Sequence, residues 1–139
     1  MKNLIDMLKF FFSNNPVKNF NVEYQLMLYF SRNNKFLKKY FQRRIYYKYY
    51  CEISHTALID KSVQFVHTIA VVIGLQVVIE KKSIIYQCVT IGTSFYCDNK
   101  MPYIGANTII STGAKLIEDI SIGKNYIIGA NKIHERKDV

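Results

Sequence analysis

The sequence contains few side chains that can exchange protons or act as nucleophiles near neutral pH. They are His55, His67, His134, Cys51, Cys88 and Cys97. An imidazole titrates near neutral pH and is therefore suited to act as a general base. His67 is the most informative of these residues, because a regular repeat in the surrounding sequence changes its register directly after it. We expect His55 to lie in an ordinary turn and His134 in a solvated polar tail.

The three cysteines predict neither a disulfide framework nor a zinc site. Their number is odd and no pair has C-x-x-C spacing, which favours reduced thiols over a disulfide framework or a zinc site. No apolar run is long enough to span a bilayer, and residues 1–15 end without the small-residue cleavage site of a secretory signal. We therefore expect a cytoplasmic protein that holds no metal.

The charge is divided unequally along the 139 residues. The net charge is +9, and residues 1–50 hold ten Lys and Arg against two Asp and Glu, whereas residues 51–139 hold nine against eight. Half of the residues are apolar, which is enough for one domain with a core. The imbalance predicts a basic segment over 1–50 joined to a different domain that begins near Cys51.

The basic segment is predicted to be helical. In residues 36–50, "FLKKYFQRRIYYKYY", apolar and aromatic residues recur at helical intervals with lysines and arginines between them. Such a helix can pack on its own domain, or it can rest on the inner face of an anionic membrane as a peripheral contact. A nucleic-acid contact is the third reading, but no binding motif supports it, and we predict no nucleic-acid partner.

A six-residue repeat dominates the remainder of the chain. Bulky residues stand six apart in three runs: Ile53, Ile59, Phe65, Val71; Ile73, Ile79, Ile85, Ile91; and Ile104, Ile110, Leu116, Ile122, Ile128. A second small or apolar residue often follows four positions later, as at Ala57, Val63, Ile69, Ser83, Val89, Thr108, Ala114 and Ile120. Each hexad predicts one short strand and a turn, and three hexads form one triangular coil that is stable only when stacked on others. The glycines that directly follow repeat residues are expected at corners where a Cβ would be unfavourable.

Two interruptions of the repeat are the places where function is expected. The register slips by two residues between Val71 and Ile73, just after His67. The repeat then breaks between Ile91 and Ile104, where the thirteen-residue interval predicts a protruding loop. Departures from the period of a solenoid commonly carry its function.

These motifs resemble a known family in their order. The stretches "CEISHTALI", "VHTIAVVIG", "IYQCVTIG", "MPYIGANTII" and "IGKNYIIGAN" are similar to the serine acetyltransferase branch of the hexapeptide-repeat acyltransferases, which includes polysaccharide O-acetyltransferases. The resemblance covers residues 51–133 and implies an all-β left-handed parallel β-helix, preceded by the helical segment 1–50 and followed by a short tail over 134–139. It also implies a homotrimer that transfers acetyl groups from acetyl-CoA to a hydroxyl.

The resemblance implies a catalytic pair. His67 matches the family's catalytic histidine, which takes the proton of the hydroxyl as its oxygen attacks the thioester carbonyl. Glu52 matches the carboxylate that orients this histidine, fifteen residues earlier and therefore expected on the preceding coil. A direct transfer needs no covalent acyl-cysteine, so we do not assign that role to Cys88.

The resemblance also implies where acetyl-CoA binds. Gly92, Thr112 and Ala130 match positions beside the pantetheine arm in the groove between subunits, where larger side chains would block it. Lys115 and Lys132 are the candidates for binding the nucleotide phosphates. The alternative for the three small residues is ordinary packing between coils.

Three departures from the family pattern bear on the acceptor. Met101 stands before Pro102 where serine acetyltransferases carry a second histidine, only about fifty residues precede the first coil, and the last coil and tail of relatives have no counterpart after residue 133. From the first two departures we predict transfer to a surface polysaccharide or its precursor, whereas the third bears on activity. Serine O-acetylation in cysteine biosynthesis is the first alternative, and a shortened, inactive β-helix with a binding or structural role is the second.

Overall fold

The computed structural model describes residues 13–93 and 101–135. Its two helices are α1 (Pro16–Asn33) and α2 (Lys35–Tyr49). Its strands are β1 (Glu52–Ile53), β2 (Leu58–Ile59), β3 (Gln64–Phe65), β4 (Val72–Ile73), β5 (Val78–Ile79), β6 (Ile84–Ile85), β7 (Thr90–Gly92), β8 (Tyr103–Ile104), β9 (Ile109–Ile110), β10 (Lys115–Ile117), β11 (Ser121–Ile122), β12 (Ile127–Ile128) and β13 (Ile133–Glu135).

A single residue, Asn34, separates the two helices and serves both of them. Its backbone N–H donates to the carbonyl of Phe30 at the end of α1, and its side chain accepts hydrogen bonds from the first N–H groups of α2. Asn15 caps α1 in the same way, followed by Pro16 at the first helical position. Because these groups satisfy N–H donors that a helix end leaves open, both helices have defined starts. The helices pack antiparallel, with Phe20 beside Tyr49 and Phe30 beside Phe41.

The strands form three parallel sheets, each of which contains every third strand of the chain. Sheet 1 contains β1, β4, β7, β10 and β13; sheet 2 contains β2, β5, β8 and β11; and sheet 3 contains β3, β6, β9 and β12. Each group of three consecutive strands is therefore one triangular coil, stacked on the next by parallel hydrogen bonds. The predicted β-helix architecture is confirmed.

The strand register confirms both predicted interruptions. Tyr103 pairs with Ser121, eighteen residues later, as a regular coil requires. Glu52 instead pairs with Val72, twenty residues later, so two extra residues lie in the corner between β3 and β4. Thr90 pairs with Lys115, twenty-five residues later, which places seven extra residues in the third coil. Residues 94–100 of the predicted loop lie outside the described residues.

The repeat residues fill the interior as predicted. The second residue of almost every strand is buried, including Ile53, Phe65, Ile73, Ile79, Ile85, Ile91, Ile104, Ile110, Leu116 and Ile128. The smaller side chains expected four residues later are mostly buried as well, but Ile69 is exposed. Ile69 lies in the widened corner after His67, where the two extra residues turn it away from the core.

The expected role of the corner glycines needs a correction. Among the described glycines only Gly113 has a positive φ, and the left-handed corner positions are held mainly by other residues, such as Asn107, Asn125 and Asn131. Gly105 is needed for another reason, because a Cβ built on it would lie 2.7 Å from the backbone carbonyl carbon of Gly123 on the next coil. These glycines permit close stacking between coils more than they supply backbone freedom.

The helix pair covers the open end of the first coil. Phe20 of α1 is fully buried, and its ring lies edge-on to Phe65 of β3 at a centroid distance of 5.2 Å and to Tyr49 of α2 at 5.3 Å. The N–H of Ala70, in the widened corner, donates to the carbonyl of Tyr49 at 3.4 Å. The helices and the β-helix therefore share one core.

Only one face of α2 packs on the rest of the chain. Phe41, Ile45 and Tyr49 are buried, whereas the remaining aromatic residues of the predicted face are exposed, among them Phe36 at 86%. The predicted apolar and aromatic face of the helix therefore packs on the domain in part, and the rest of it is exposed. Among the described residues, no helix is long and apolar enough to cross a membrane.

Candidate active site

His67 lies on the surface of the widened corner between β3 and β4. Its side chain is exposed, and the neighbouring Thr68 is buried. The backbone on both sides of His67 is fixed, because the N–H of Val66 donates to the carbonyl of Ile85 and the carbonyl of Ile69 accepts from the N–H of Cys88. The corner therefore presents an accessible imidazole from a backbone that is hydrogen-bonded to the next coil.

Glu52 lies on the outward face of β1. Its carboxylate is exposed, and its neighbour in sheet 1 is Val72, which directly follows the widened corner. The N–H of Val71 donates to the sulfur of Cys51 at 3.4 Å, so the end of the corner and the start of β1 are in contact. Glu52 and His67 thus come from adjoining backbone segments, but both lie in the first coil and not on successive coils as expected from the sequence. Within residues 13–93 and 101–135 no hydrogen bond joins the two side chains, and the orienting role of Glu52 stays a prediction.

Three of the predicted site residues lie on one corner of the triangle. His67, Thr112 and Ala130 each stand two residues after the last residue of a sheet 3 strand, in the first, third and fourth coils. The N–H of Asn131 donates to the carbonyl of Thr112 at 2.9 Å, which connects the third and fourth coils along this corner. Successive coils are about 4.8 Å apart, so the corner forms a continuous edge that begins at His67.

Gln87 occupies the same corner in the second coil and was not identified from the sequence. Its carbonyl accepts the N–H of Gly113 at 3.1 Å, and its half-buried side chain has a buried amide oxygen without a hydrogen-bond partner in the described structure. The hexad period contains the signal that would have found it, because Gln87 follows Ile85 by the same two positions that separate His67 from Phe65.

The other predicted cofactor residues are more dispersed. Gly92 is buried at the end of β7, the central strand of sheet 1, where a Cβ built on Gly74 of the preceding coil would lie 3.3 Å from its Cα. Lys115 is exposed at the start of β10, and Lys132 is exposed in the turn that leads to β13. The N–H of Lys115 donates to the carbonyl of Lys132 at 2.8 Å, which places the two lysines on adjacent coils beside Ala130.

The remaining candidate groups lie elsewhere. His55 lines a cleft of about 1110 Å³ between α1 and sheet 2, and burial, followed by the charge of Lys38, lowers its pKa. Cys88 is an exposed free thiol in the second coil. His134 is exposed in β13. This strand ends at Glu135, two residues after the predicted end of the β-helix at residue 133. Within the described ranges, no group of three or more His, Cys, Asp or Glu residues could hold a metal ion.

Curated proteins similar to this chain include serine acetyltransferases. No family model matches the chain. It is 33% identical over 104 residues to the serine acetyltransferase of Haemophilus influenzae, and the aligned region covers 74% of this chain and 39% of that protein. It is 40% identical over 83 residues to the serine acetyltransferase of Staphylococcus aureus strain Mu50, and the aligned region covers 59% of this chain and 39% of that protein.

Solved structures give the same result. A serine acetyltransferase determined in complex with CoA superimposes with a TM-score of 0.74 at 30% identity, over 84% of this chain and 48% of that one. The enzyme from Vibrio cholerae O1 biovar El Tor gives a TM-score of 0.74 at 28% identity, over 84% of this chain and 46% of that one. The chain is a homologue of the serine acetyltransferases.

The homology confirms the predicted resemblance to the hexapeptide-repeat acyltransferases and the left-handed parallel β-helix with N-terminal helices. The chain spans 39% of the length of the Haemophilus influenzae relative and less than half of the solved structures described above. The relatives described above are named as serine acetyltransferases, and none of them supports the predicted polysaccharide acceptor. The comparisons therefore favour the serine alternative.

Proposed function

We propose that this serine acetyltransferase homologue is an acetyl-CoA-dependent O-acetyltransferase whose acceptor is serine. The observation that carries the proposal is the match, in sequence and in fold, to a serine acetyltransferase whose structure contains CoA. The exposed His67 on the widened corner supports it, since an acyl transfer to a hydroxyl needs a base that solvent and substrate can reach.

The proposed reaction is a direct transfer. The imidazole of His67 accepts the proton of the serine hydroxyl while its oxygen attacks the thioester carbonyl of acetyl-CoA. A C–O bond forms, the C–S bond breaks, and the proton on His67 passes to the departing thiolate to give free CoA. Glu52 is the positioning residue: a carboxylate that accepts a hydrogen bond from one ring nitrogen leaves the other nitrogen unprotonated and able to act as the base.

Acetyl-CoA is proposed to bind along the corner that begins at His67. Thr112 and Ala130 are small enough to leave the edge accessible, and Lys115 at the start of β10 and Lys132 in the turn before β13 supply positive charge for its phosphates. Gly92 is the weakest member of this set, because its burial against Gly74 already has a packing explanation. A homotrimer is the proposed working unit, so that a second subunit completes the groove.

A glycan hydroxyl is the second candidate acceptor. One observation favours it: Met101 is half-buried at the position where the second histidine of serine acetyltransferases is expected. With this acceptor, the exposed basic and aromatic face of α2 would place the protein at the inner face of a membrane. The peripheral contact and the cytoplasmic location stay predictions.

The test is an acetyl-transfer assay with matched histidine variants. The purified chain is titrated with acetyl-CoA by calorimetry, and CoA release is followed with L-serine or with glycan acceptors. His67→Ala should lower kcat by roughly 10²- to 10⁴-fold, whereas His134→Ala, which removes another exposed histidine, should leave it unchanged. Absence of acetyl-CoA binding would favour the inactive β-helix, and transfer to a glycan but not to serine would favour the second acceptor.

A further inference from the structure

Gln87 lies beside His67 on the next coil of the β-helix. Phe65 and Ile85 are partners in the parallel register of sheet 3, and His67 and Gln87 follow them by two positions each. The backbone N–H that follows Gln87 donates at 3.0 Å to the carbonyl of Ile69, in the corner that bears His67. Because neighbouring coils are about 4.8 Å apart, the two side chains start from backbones close enough to contact the same group of a substrate.

The side-chain amide of Gln87 has no partner among the described residues. Its oxygen Oε1 is buried and accepts no hydrogen bond, although the side chain as a whole is only half-buried. Its amide N–H groups also donate to no other residue of the described ranges. A buried polar atom without a partner destabilises the folded state, and a catalytic role is one explanation for keeping it.

Three backbone N–H groups along the same corner are already used. Those of Cys88, Gly113 and Asn131 each donate to a carbonyl of the preceding coil, at 2.9 to 3.1 Å. These groups stabilise the stack of coils and are not free to bind a substrate carbonyl. The amide of Gln87 is therefore an uncommitted neutral donor one coil from the proposed base.

The position of Gln87 along the corner also matters. By the register of sheet 3, it lies between His67 of the first coil and Thr112 of the third. Acetyl-CoA that lies along this corner and brings its acetyl group to His67 must pass Gln87. The second coil is therefore at the level of the thioester, whereas Thr112 and Ala130 are at the level of the pantetheine arm.

We propose that the side-chain amide of Gln87 stabilises the oxyanion of the acetyl transfer. The inference rests on the proposed function and deepens it by adding a catalytic residue. As the hydroxyl oxygen attacks, the π electrons of the thioester carbonyl move onto its oxygen, and the amide donates a hydrogen bond to this negative charge. The electrons return to the carbonyl of the new ester as the C–S bond breaks. A donor placed where charge develops lowers the barrier more than it strengthens binding of the substrate.

Two substitutions of Gln87 test the proposal. Gln87→Met keeps the length of the side chain and removes its donor, so kcat for transfer to L-serine should fall by roughly 10²- to 10³-fold, with KM for acetyl-CoA unchanged. Gln87→Glu keeps the acceptor oxygens but replaces the donor by a negative charge, so it should be impaired at least as much. The matched control Gln25→Met removes an exposed amide from α1 and should leave both constants unchanged.

The contrary outcomes are distinct. A wild-type kcat in Gln87→Met would overturn the proposal, as would a raised KM for acetyl-CoA with unchanged kcat, because the residue would then contribute to binding alone. Full activity in Gln87→Glu would also overturn it, since the side chain would then act as an acceptor.

Hydrolysis of acetyl-CoA without an acceptor separates this proposal from the choice of serine. Attack by water passes through the same oxyanion, so the hydrolysis rate should fall in Gln87→Met by the same factor as kcat. Such a fall would support the oxyanion role even where serine is not acetylated. A wild-type chain that neither hydrolyses acetyl-CoA nor transfers its acetyl group would overturn both proposals, whereas an active wild type with equally active Gln87→Met would overturn this one alone.

A stability measurement separates catalysis from a structural role. Gln87→Met deletes a buried oxygen that has no partner, so its free energy of unfolding should be at least that of the wild type. Urea denaturation followed by circular dichroism measures this difference. A lower free energy of unfolding in Gln87→Met would show that the fold itself uses the amide and would overturn the proposal.

Discussion

Gly105 permits the close stacking of the third and fourth coils. A Cβ at this position would lie 2.7 Å from both the carbonyl carbon and the carbonyl oxygen of Gly123. We expect Gly105→Ala to lower the free energy of unfolding by about 1–3 kcal/mol, because these backbone atoms must move apart. Urea denaturation followed by circular dichroism measures the change. Gly129→Ala is the control, since its Cβ would meet only the Lys132 side chain at 3.5 Å, and an equal loss in both variants would contradict the explanation.

Tyr24 predicts a dependence of stability on alkaline pH. Burial raises its pKa from 10.0 to about 12, and its hydroxyl has no hydrogen-bond partner among the described residues. Below pH 10 the phenol is protonated in both states, whereas between pH 10 and 12 the unfolded chain releases the proton first, so the stability falls as the pH rises.

The variant Tyr24→Phe should remove this contribution. We expect it to be at least as stable as the wild type at pH 7, because it deletes an unpaired buried hydroxyl. Between pH 10 and 12 it should lose about 2 kcal/mol less free energy of unfolding than the wild type. Denaturant unfolding across this pH range measures the difference, with Tyr126→Phe as an exposed control. Parallel pH profiles for wild type and Tyr24→Phe would show that Tyr24 titrates as it does in the unfolded chain.

Individual residues were predictable to different extents. His67 could be selected because a two-residue slip is visible in the printed sequence, and the pairing of Glu52 with Val72 confirms that slip. Gln87 follows the same six-residue period at a position where the repeat is regular, so no change of register marks it in the sequence. Lys39 and Arg43 line a cleft between α2 and β1. The sequence could not predict this, because their neighbours on β1 are set by how α2 packs, which helical periodicity alone does not specify.

Among the elements, the strands were more predictable than the corners. A buried residue every six positions is a direct consequence of three two-residue strands per coil, so Ile79, Ile85 and Ile91 could be placed inside without any tertiary information. The corners depend on contacts with the next coil. Glu80, for example, replaces a corner glycine, and its carboxylate accepts hydrogen bonds from the Tyr103 hydroxyl and the Ala106 N–H of the following coil.

The outward face of α2 predicts binding to anionic lipid surfaces. Phe36 is 86% exposed and Tyr47 67% exposed, and Lys35, Lys39 and Arg43 are exposed around them. Aromatic rings that enter the headgroup region and cations that face anionic lipids both favour adsorption. We therefore expect the chain to sediment with vesicles that contain phosphatidylserine and to be released by salt, since ions screen the attraction.

A paired variant tests which face is used. Lys35→Gln/Phe36→Ser should weaken vesicle binding several-fold, because it removes one cation and the most exposed ring of the helix, and each such charge contributes about 1 kcal/mol. Tyr126→Ser removes an exposed aromatic residue at the opposite end of the β-helix and should have no effect. If vesicle binding is unchanged by added salt and by both α2 substitutions, this face is not the contact.

At the scale of the whole molecule, the three outer faces of the β-helix differ in polarity. The outward residues of sheet 3 are Gln64, Ile84, Ile109 and Ile127, and the three isoleucines pair in register on successive coils. The outward residues of sheet 1 are Glu52, Val72, Thr90, Lys115 and Ile133, and those of sheet 2 are Leu58, Val78, Tyr103 and Ser121. Both columns mix apolar and polar side chains, whereas sheet 3 carries three consecutive isoleucines. A column of outward isoleucines on a parallel sheet is a surface that a second subunit can bury, and sheet 3 is therefore where we expect the proposed trimer to form.

A charged substitution in that column should dissociate the trimer without unfolding the chain. Ile109→Glu places a carboxylate at the centre of the isoleucine column, between Ile84 and Ile127, where burial without a partner would cost several kcal/mol. Light scattering coupled to size-exclusion chromatography should report a trimer for the wild type and a monomer for this variant, with the β-sheet circular dichroism retained. Ser121→Glu, on the outward side of sheet 2, should remain trimeric. Because a second subunit is proposed to complete the groove along the His67 corner, the monomeric variant should also lose acetyl-CoA affinity, and a monomer that binds acetyl-CoA as tightly as the trimer would place the whole groove within one chain.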